Sequence, residues 1–320
     1  MKDRSVEQKL RGEAGELLVA GKVDYIVGFE QGSLKFTTTP LITKDGNDIN
    51  RLVINPFITS NLAKFLMELK GRVGIVAKGC DSRSIVSLIQ DNKVIRENLV
   101  ILGVPCSGII SLHKLEKLAA RDSEEIRDIT REDDRVIVNI GGEDRELNAA
   151  EVLFDSCLAC EFPTPKEYDI LLGEPRAATI SQDAWKNVKK LEALPPEERW
   201  YFWEKEFSRC TRCYACRNSC PICFCQQCFV EETEPQWIVS VPRWQENFIF
   251  QIIRNIHVAG RCTDCGACER ACPANIPLRS LTRKMYDIVD DLYQFKAGTD
   301  KGLAPLMAHY ENTDPGDFIR

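Results

Sequence analysis

Apolar residues recur at helical spacing over residues 4–20, where Val6, Leu10, Leu17 and Leu18 predict one buried face. Two strand-like runs follow, Val23–Phe29 and Ser33–Thr38, separated by Gln31-Gly32. Lys44-Asp45-Gly46 reads as a turn and Leu52–Ile54 as a short strand. Leu62, Phe65, Leu66 and Leu69 predict a helix capped by Ser60 or Asn61. Then the pattern changes. Val73–Ala77 (VGIVA) and Leu99–Val104 (LVILGV) are continuously apolar, the mark of parallel strands buried on both faces. Each stops at a polar loop and leads into a helix. The first helix carries Ile85, Val86, Leu88 and Ile89 behind Asp81 or Ser82; the second runs from Ser111 to about Arg121. Two strand–loop–helix units in series predict an α/β layer with a mixed or parallel sheet.

Residues 121–134 are densely charged and read as surface. Val136–Ile140 and Glu146–Asn148 flank Gly141-Gly142 as a hairpin. Val152–Phe154 then leads to Cys157-x2-Cys160, and Pro163 and Pro165 break up the segment after it. Beyond residue 180 the pattern is helical throughout. Helices are expected over Ser181–Leu191, from Pro195-Pro196-Glu197-Glu198 onward, over Gln245–His257 with Phe248, Ile249, Ile252 and Ile256 as its apolar positions, and over about Leu278–Phe295. The expected organisation is an α/β domain over 1–180, an all-α, ferredoxin-like domain over 195–295, and a polar tail over 296–320.

Two copies of one cysteine pattern lie in the helical part. The first is Cys210-x2-Cys213-x2-Cys216-x3-Cys220-Pro221; the second is Cys262-x2-Cys265-x2-Cys268-x3-Cys272-Pro273. This is the bacterial ferredoxin run, whose thiolates hold 4Fe-4S clusters. Steps of three residues curl a loop so that three sulfurs face one cluster, while the cysteine before proline ligates the other cluster. Cys210, Cys213, Cys216 and Cys272 are therefore assigned to one cluster, and Cys262, Cys265, Cys268 and Cys220 to the second. Zinc sites normally present two cysteine pairs rather than runs ending in proline. Counted from Cys220 to Cys262, 41 residues separate the runs. Their helical content matches an α-helical ferredoxin module rather than a compact β-type one.

Composition narrows the class. The 320 residues are ordinary globular material, 44% hydrophobic and 28% charged, apart from 15 cysteines. Met1 to Gly21 is charged and carries no signal-peptide core, and no apolar run reaches the ~20 residues that span a bilayer. Cysteines in such a chain point to metal rather than disulfides, and the expected location is cytoplasmic. A net charge of −6 argues against nucleic acid as partner. Only 3 histidines are present, and no Ser/His/Asp or Cys/His arrangement is visible for hydrolytic chemistry.

Seven cysteines remain outside the two runs. Cys80 and Cys106 fall just past the carboxyl ends of the two apolar strands, the edge where open α/β sheets bind ligands. With Cys157 and Cys160 they are candidates for a third cluster; the alternatives are core thiols and a local zinc half-site. Cys223, Cys225 and Cys228 follow Pro221 directly. They serve a further cluster, replace an assigned ligand, or pack as spectators. Arg209, Arg212 and Arg217 interleave the first run as solvated charges or as donors that tune potential. Trp200, Phe202, Trp203, Phe207 and Tyr214 are expected to shield it from water or simply to form core. His257 is expected to be structural.

Lys78-Gly79-Cys80-Asp81, LVILGVPCSGI and the C-x2-C before YDILLGE resemble the beta subunit of deazaflavin-reducing, coenzyme-linked hydrogenases and formate dehydrogenases. CTRCYACRNSCPICFC is similar to the formate dehydrogenase beta subunit. HVAGRCTDCGACERACPANIPL is similar to α-helical ferredoxins of the heterodisulfide reductase type. The resemblance covers residues 73–175 and 205–280. It implies a first domain that binds FAD and exchanges hydride with the deazaflavin, with Cys80, Cys106, Cys157 and Cys160 holding a cluster beside the flavin. The chain departs from that pattern in reading Lys-Gly-Cys where relatives have Pro-Cys, and it has no G-x-G-x-x-G run. FAD is thus a candidate cofactor, and deazaflavin use is a weaker expectation.

The expected function is that of an electron-transfer subunit in a multi-subunit oxidoreductase, with a flavoprotein, formate dehydrogenase, hydrogenase or heterodisulfide-reductase-like partner. Two alternatives stand beside it. One is a flavin-dependent oxidoreductase acting itself on deazaflavin or NAD(P)H. The other is a non-redox binding module held together by metal.

Overall fold

The computed structural model describes residues 2–122, 125–132, 135–178, 180–181, 185–308 and 312. The chain divides into two compact units. Met1–Leu62, Glu68–Ser82 and Arg96–Ala184 form the first; Ala63–Met67, Arg83–Ile95 and Trp185–Arg320 form the second.

In the first unit, α1 (Lys2–Val19) buries Leu10, Ala14 and Leu17. β1 (Tyr25–Gln31) pairs antiparallel with β2 (Thr38–Thr43). The second strand begins where the sequence pattern ends it. Residues Thr38–Thr43 supply the hydrogen-bonding partners, and Gly32 to Thr37 form the connection, closed by the Gly32 amide donating to Thr37 O at 2.9 Å. Leu52 makes only an isolated bridge to Glu30, and the expected helix near residue 62 is a tighter 3-10 segment, Leu62–Met67.

β3 (Val73–Ala77) is buried at every position, as its unbroken apolar run requires, and α2 (Gly79–Gln90) starts directly after it. β4 (Leu99–Gly103) precedes α3 (Leu112–Asp122). β5 (Ile126–Glu132), β6 (Arg135–Ile140) and β7 (Glu143–Asn148) form an antiparallel sheet of their own. Two one-turn helices, α4 (Ala149–Val152) and α5 (Asp155–Leu158), lead to β8 (Ile170–Leu171). The main sheet has the order β2-β1-β3-β4-β8, with β1, β3, β4 and β8 parallel and β2 antiparallel at one edge. This is the expected α/β layer with a mixed sheet.

The charged stretch 121–134 is largely exposed where described, as expected, but it also forms the strand β5. Its sequence, IRDITRE, is polar because only one of its edges and one of its faces are used. Ile126 and Ile129 pack on a core of Phe57, Leu115, Val136, Val138, Ile140 and Val152, while the charged residues between them face away. Residues 123–124 and 133–134 lie outside the described residues.

The described elements of the second unit are helices: α6 (Lys186–Glu192), α7 (Pro196–Ser208), α8 (Ala215–Asn218), α9 (Trp244–His257), α10 (Ala267–Arg270) and α11 (Leu278–Tyr293). Residues 182–184 of the helix expected over 181–191 lie outside the described residues, as do 309–311 and 313–320 of the tail. Trp203, Phe207, Phe250, Ile276 and Leu278 form the core, with Cys216 and Cys268 inside it. Among the described residues no helix is long and apolar enough to cross a membrane.

Candidate metal centres

The two cysteine runs share one backbone path. In the first, Arg212 and Tyr214 take left-handed φ values of 54° and 60°; in the second, Asp264 and Gly266 take 54° and 73°. A left-handed residue costs an L-amino acid about 1–2 kcal/mol, so three non-glycine residues in this conformation mark an imposed loop shape. The shape turns amides inward. The Arg212 amide donates to Cys210 Sγ at 3.4 Å, and the Asp264 amide donates to Cys262 Sγ at 3.4 Å. Each loop then enters a single helical turn, α8 or α10, that buries its third cysteine, Cys216 or Cys268.

Cys210, Cys213, Cys216 and Cys272 line one opening, together with Arg212, Tyr214, Phe250 and Gln251. Three of these cysteines come from the first run and one from the end of the second. Burial pushes the Cys210 and Cys216 thiols up, and the neighbouring thiols add to it at Cys210. The second group mirrors the first. Cys262 is pushed well up by burial, with Asp264, Cys220 and Cys265 beside it. Cys268 is pushed up to about 12 by burial, with Cys220 and Cys265 again among its neighbours. Cys220 thus stands with the cysteines of the other run. Thiols bind iron as thiolates, so loading these sites releases protons that burial otherwise retains.

The third group lies at the carboxyl ends of β3 and β4. Cys80 is in the first turn of α2, whose Gly79 is pressed against the chain after Cys160: a Cβ at Gly79 would lie 1.7 Å from Phe162 O. Only glycine permits that approach, which accounts for the Lys-Gly-Cys reading. The Cys106 amide donates to Pro163 O at 2.8 Å in the same segment. The Gly108 amide donates to Cys106 Sγ at 3.3 Å, and the Ile109 amide to Cys157 Sγ at 3.3 Å. Burial raises Cys106, and the thiol of Cys157 raises it further. The segments carrying all four cysteines are therefore held to one another by backbone contacts.

Lys78 neighbours Cys80 and Cys106 of this group; in the sequence it belongs to a motif but carries no role of its own. It is 1% exposed, with Nζ 2.7 Å from Asp81 and donating to Ser60 O at 3.0 Å. Burial opposes its charge, but Asp81 and the thiols of Cys80 and Cys106 outweigh it and hold the ammonium above its usual value.

The remaining thiols have separate surroundings. Cys223 shares a thiol hydrogen bond with Cys220, which lowers it, and Lys64 Nζ donates to its carbonyl at 3.1 Å. Cys225 is exposed. The Cys228 amide donates to Glu231 at 3.0 Å, and its side chain neighbours Arg217 and Tyr214. Among the interleaved arginines, Arg209 and Arg217 pair with Glu206 and Glu231. Arg212 departs from a solvated role: it is 6% exposed and its two terminal nitrogens have no partner. His257 is exposed, with its ring edge-on to Phe229.

α9 departs in part from the expected orientation: Phe248 packs on the core and Ile252 is half-buried, but the other two expected positions face outward. Ile249 and Ile256 are 43% and 53% exposed, while Asn247, Gln251, Arg254 and Asn255 are buried. Asn247 Nδ2 donates to Phe207 O at 3.0 Å and Cys210 O at 2.8 Å, and Gln251 Nε2 reaches Cys216 Sγ at 3.7 Å. A cysteine loop turned around a cluster leaves carbonyls and sulfurs that need donors, so the polar face goes inward. A zinc ion draws four donors to about 2.0–2.3 Å of one point, whereas a cluster holds its thiolates around a larger cube. Inward amides on the sulfurs, the opening rimmed by four cysteines and the unpaired buried guanidiniums fit such a cube.

The chain is similar to several known proteins. Residues 70–224 match the family described as the C terminus of the coenzyme F420 hydrogenase/dehydrogenase beta subunit, and residues 206–276 match the 4Fe-4S dicluster domain. The F420-dependent formate dehydrogenase subunit beta of Methanocaldococcus jannaschii is 26% identical, over 77% of this chain and 78% of its own length. The F420-dependent formate dehydrogenase 1 subunit beta of Methanococcus maripaludis is 22% identical, over 91% of this chain and 90% of its own. A chain of the F420-reducing [NiFe] hydrogenase complex from Methanosarcina barkeri superposes with a TM-score of 0.40 at 12% identity, covering 66% of this chain and 91% of that one. Residues 70–224 of this chain are thus similar to the C terminus of the coenzyme F420 hydrogenase/dehydrogenase beta subunit, and residues 206–276 to a 4Fe-4S dicluster domain.

Proposed function

We propose that this protein is the electron-relay subunit of a cytoplasmic multi-subunit oxidoreductase of the formate dehydrogenase or hydrogenase type. Cys210, Cys213, Cys216 and Cys272 hold one 4Fe-4S cluster of an α-helical ferredoxin domain, and Cys262, Cys265, Cys268 and Cys220 hold the second. Cys80, Cys106, Cys157 and Cys160 hold a third in the α/β domain. When bound, such clusters pass single electrons, one losing the electron its neighbour gains. The chain's own residues supply the rest. The amides of Arg212, Asp264, Gly108 and Ile109 point at cysteine sulfurs and favour their anionic form. Phe250 and the buried parts of α7 and α9 exclude water from the first opening. The carrying observation is that two loops 52 residues apart, counted from Cys210 to Cys262, repeat the same left-handed backbone and the same amide-to-sulfur bond.

The test is anaerobic purification with iron and sulfide counts, followed by reduction monitored by paramagnetic resonance. About 12 iron per chain are expected, four per cluster. A count near eight removes the third cluster. A colourless protein containing zinc alone overturns the relay. Cys265→Ser must change the reduced signal; an unaltered spectrum also overturns it. A flavin that co-purifies and is bleached by reduced deazaflavin or NAD(P)H would make the chain an enzyme in its own right.

A further inference from the structure

The buried polar face of α9 ends in a cation with unused donors. Arg254 is 3% exposed. Its Nε donates to Gln251 Oε1 at 3.1 Å, and Gln251 in turn reaches Cys216 Sγ at 3.7 Å. Its terminal nitrogens, Nη1 and Nη2, have no hydrogen-bond partner. A guanidinium presents its donors in a rigid planar fork, and a buried fork with two free tines is costly unless it faces acceptors. Burial is the largest influence on its charge and opposes it, but Cys268, Cys216, Cys220 and Cys223 together hold the cation above its ordinary value. Cys216 belongs to the first group of cysteines; Cys220 and Cys268 belong to the second. Arg254 is thus linked through Gln251 to the first group and has thiols of both groups as electrostatic neighbours.

We propose that Arg254 is a positioning residue shared by the two cluster sites, donating through Nη1 and Nη2 to sulfur on both sides and holding both reduction potentials up. The inference rests on the cluster occupancy proposed above. Hydrogen bonds to sulfur and net local charge both set cluster potentials, and a buried cation favours whichever side has gained an electron. Because one guanidinium serves both, its removal shifts the two potentials in the same direction.

The experiment uses the full chain purified without oxygen. Iron content and an optically and magnetically monitored redox titration are recorded for the parent protein, Arg254→Gln and Arg254→Lys. With full iron, Arg254→Gln is expected to move both midpoint potentials negative. Arg254→Lys keeps the charge but loses the fork, so one potential moves negative by more than the other. Unchanged potentials in both variants at full iron overturn the proposal, as does a shift of only one potential in Arg254→Gln. If Arg254→Gln loses iron, Arg254→Lys decides: full iron with unequal negative shifts supports the shared fork, and any other result makes Arg254 a structural charge. A parent protein without iron would defeat the occupancy itself, a different result from iron present with potentials unmoved.

Discussion

Arg279 closes on Asp264 with two parallel hydrogen bonds, 2.7 Å from Nε to Oδ1 and 2.6 Å from Nη2 to Oδ2. Arg283 Nη1 adds a third at 2.9 Å. Asp264 is the left-handed residue of the second cysteine run, so α11 holds the strained loop from outside. The Arg279 amide also donates to Glu269, next to Cys268, at 3.0 Å. One side chain and one amide from the start of α11 therefore fix both halves of the loop.

Arg279→Leu is expected to loosen that loop. Removing one partner of a buried pair costs about 3–5 kcal/mol when the other charge stays buried, and Arg283 offsets part of this. The thermal midpoint falls, and about four iron are lost from the second site while the first retains its own. Arg279→Lys keeps the charge without the paired geometry and falls between the two. Iron counts and scanning calorimetry on anaerobic protein check this.

Asp287 makes stability depend on pH. Burial pushes its carboxyl up from 3.8 to about 6, although Arg283 stands 3.3 Å away and pulls it down. The folded form therefore holds this proton more tightly than the unfolded chain. Its contribution is fully present below about pH 4 and is lost as pH rises through about 6. Asp287→Asn removes that dependence. The difference in unfolding free energy between parent and variant should change by on the order of 1 kcal/mol between pH 4 and 6.5, favouring the variant at the higher pH. A flat difference across that range refutes the assignment.

Lys78 and Asp81 form a buried pair in the first unit, and the Asp81 carboxylate also accepts from the Lys78 and Leu62 amides at 2.9 and 3.3 Å. Lys78→Met strands that carboxylate and should destabilise the α/β unit by about 3–5 kcal/mol. Adding Asp81→Leu should recover part of the loss. Calorimetric transitions of the two variants are the measurement.

Cys157→Ser separates the third group from the other two. Iron should fall from about 12 to about eight, with the reduced signal of the dicluster domain retained. An unchanged iron count would remove Cys157 from any cluster.

Much of this protein is legible in order of residues. VGIVA and LVILG are strands β3 and β4 because a fully buried parallel strand must be apolar on both faces. The two cysteine runs announce their chemistry because iron ligation demands soft donors at short, regular intervals. β5 was not legible, since an edge strand is defined by backbone pairing and IRDITRE carries too little apolar alternation to signal it. The direction of α9 was not legible either. Periodicity separates Ile249 and Ile256 from Gln251 and Arg254, but it does not say which side faces inward.

By itself, then, the sequence established two cysteine runs with the spacing of cluster ligands, and an α/β part ahead of a helical one. Tertiary structure decided which cysteine-bearing segments adjoin, through contacts such as Gly79 against Phe162 and Cys106 against Pro163. It also decided that a polar helix face is core, because the turned loops around each group leave carbonyls and sulfurs whose donors must come from a neighbouring helix. Ligand type is a property of single residues; convergence and the satisfaction of buried acceptors arise only when distant segments are packed together.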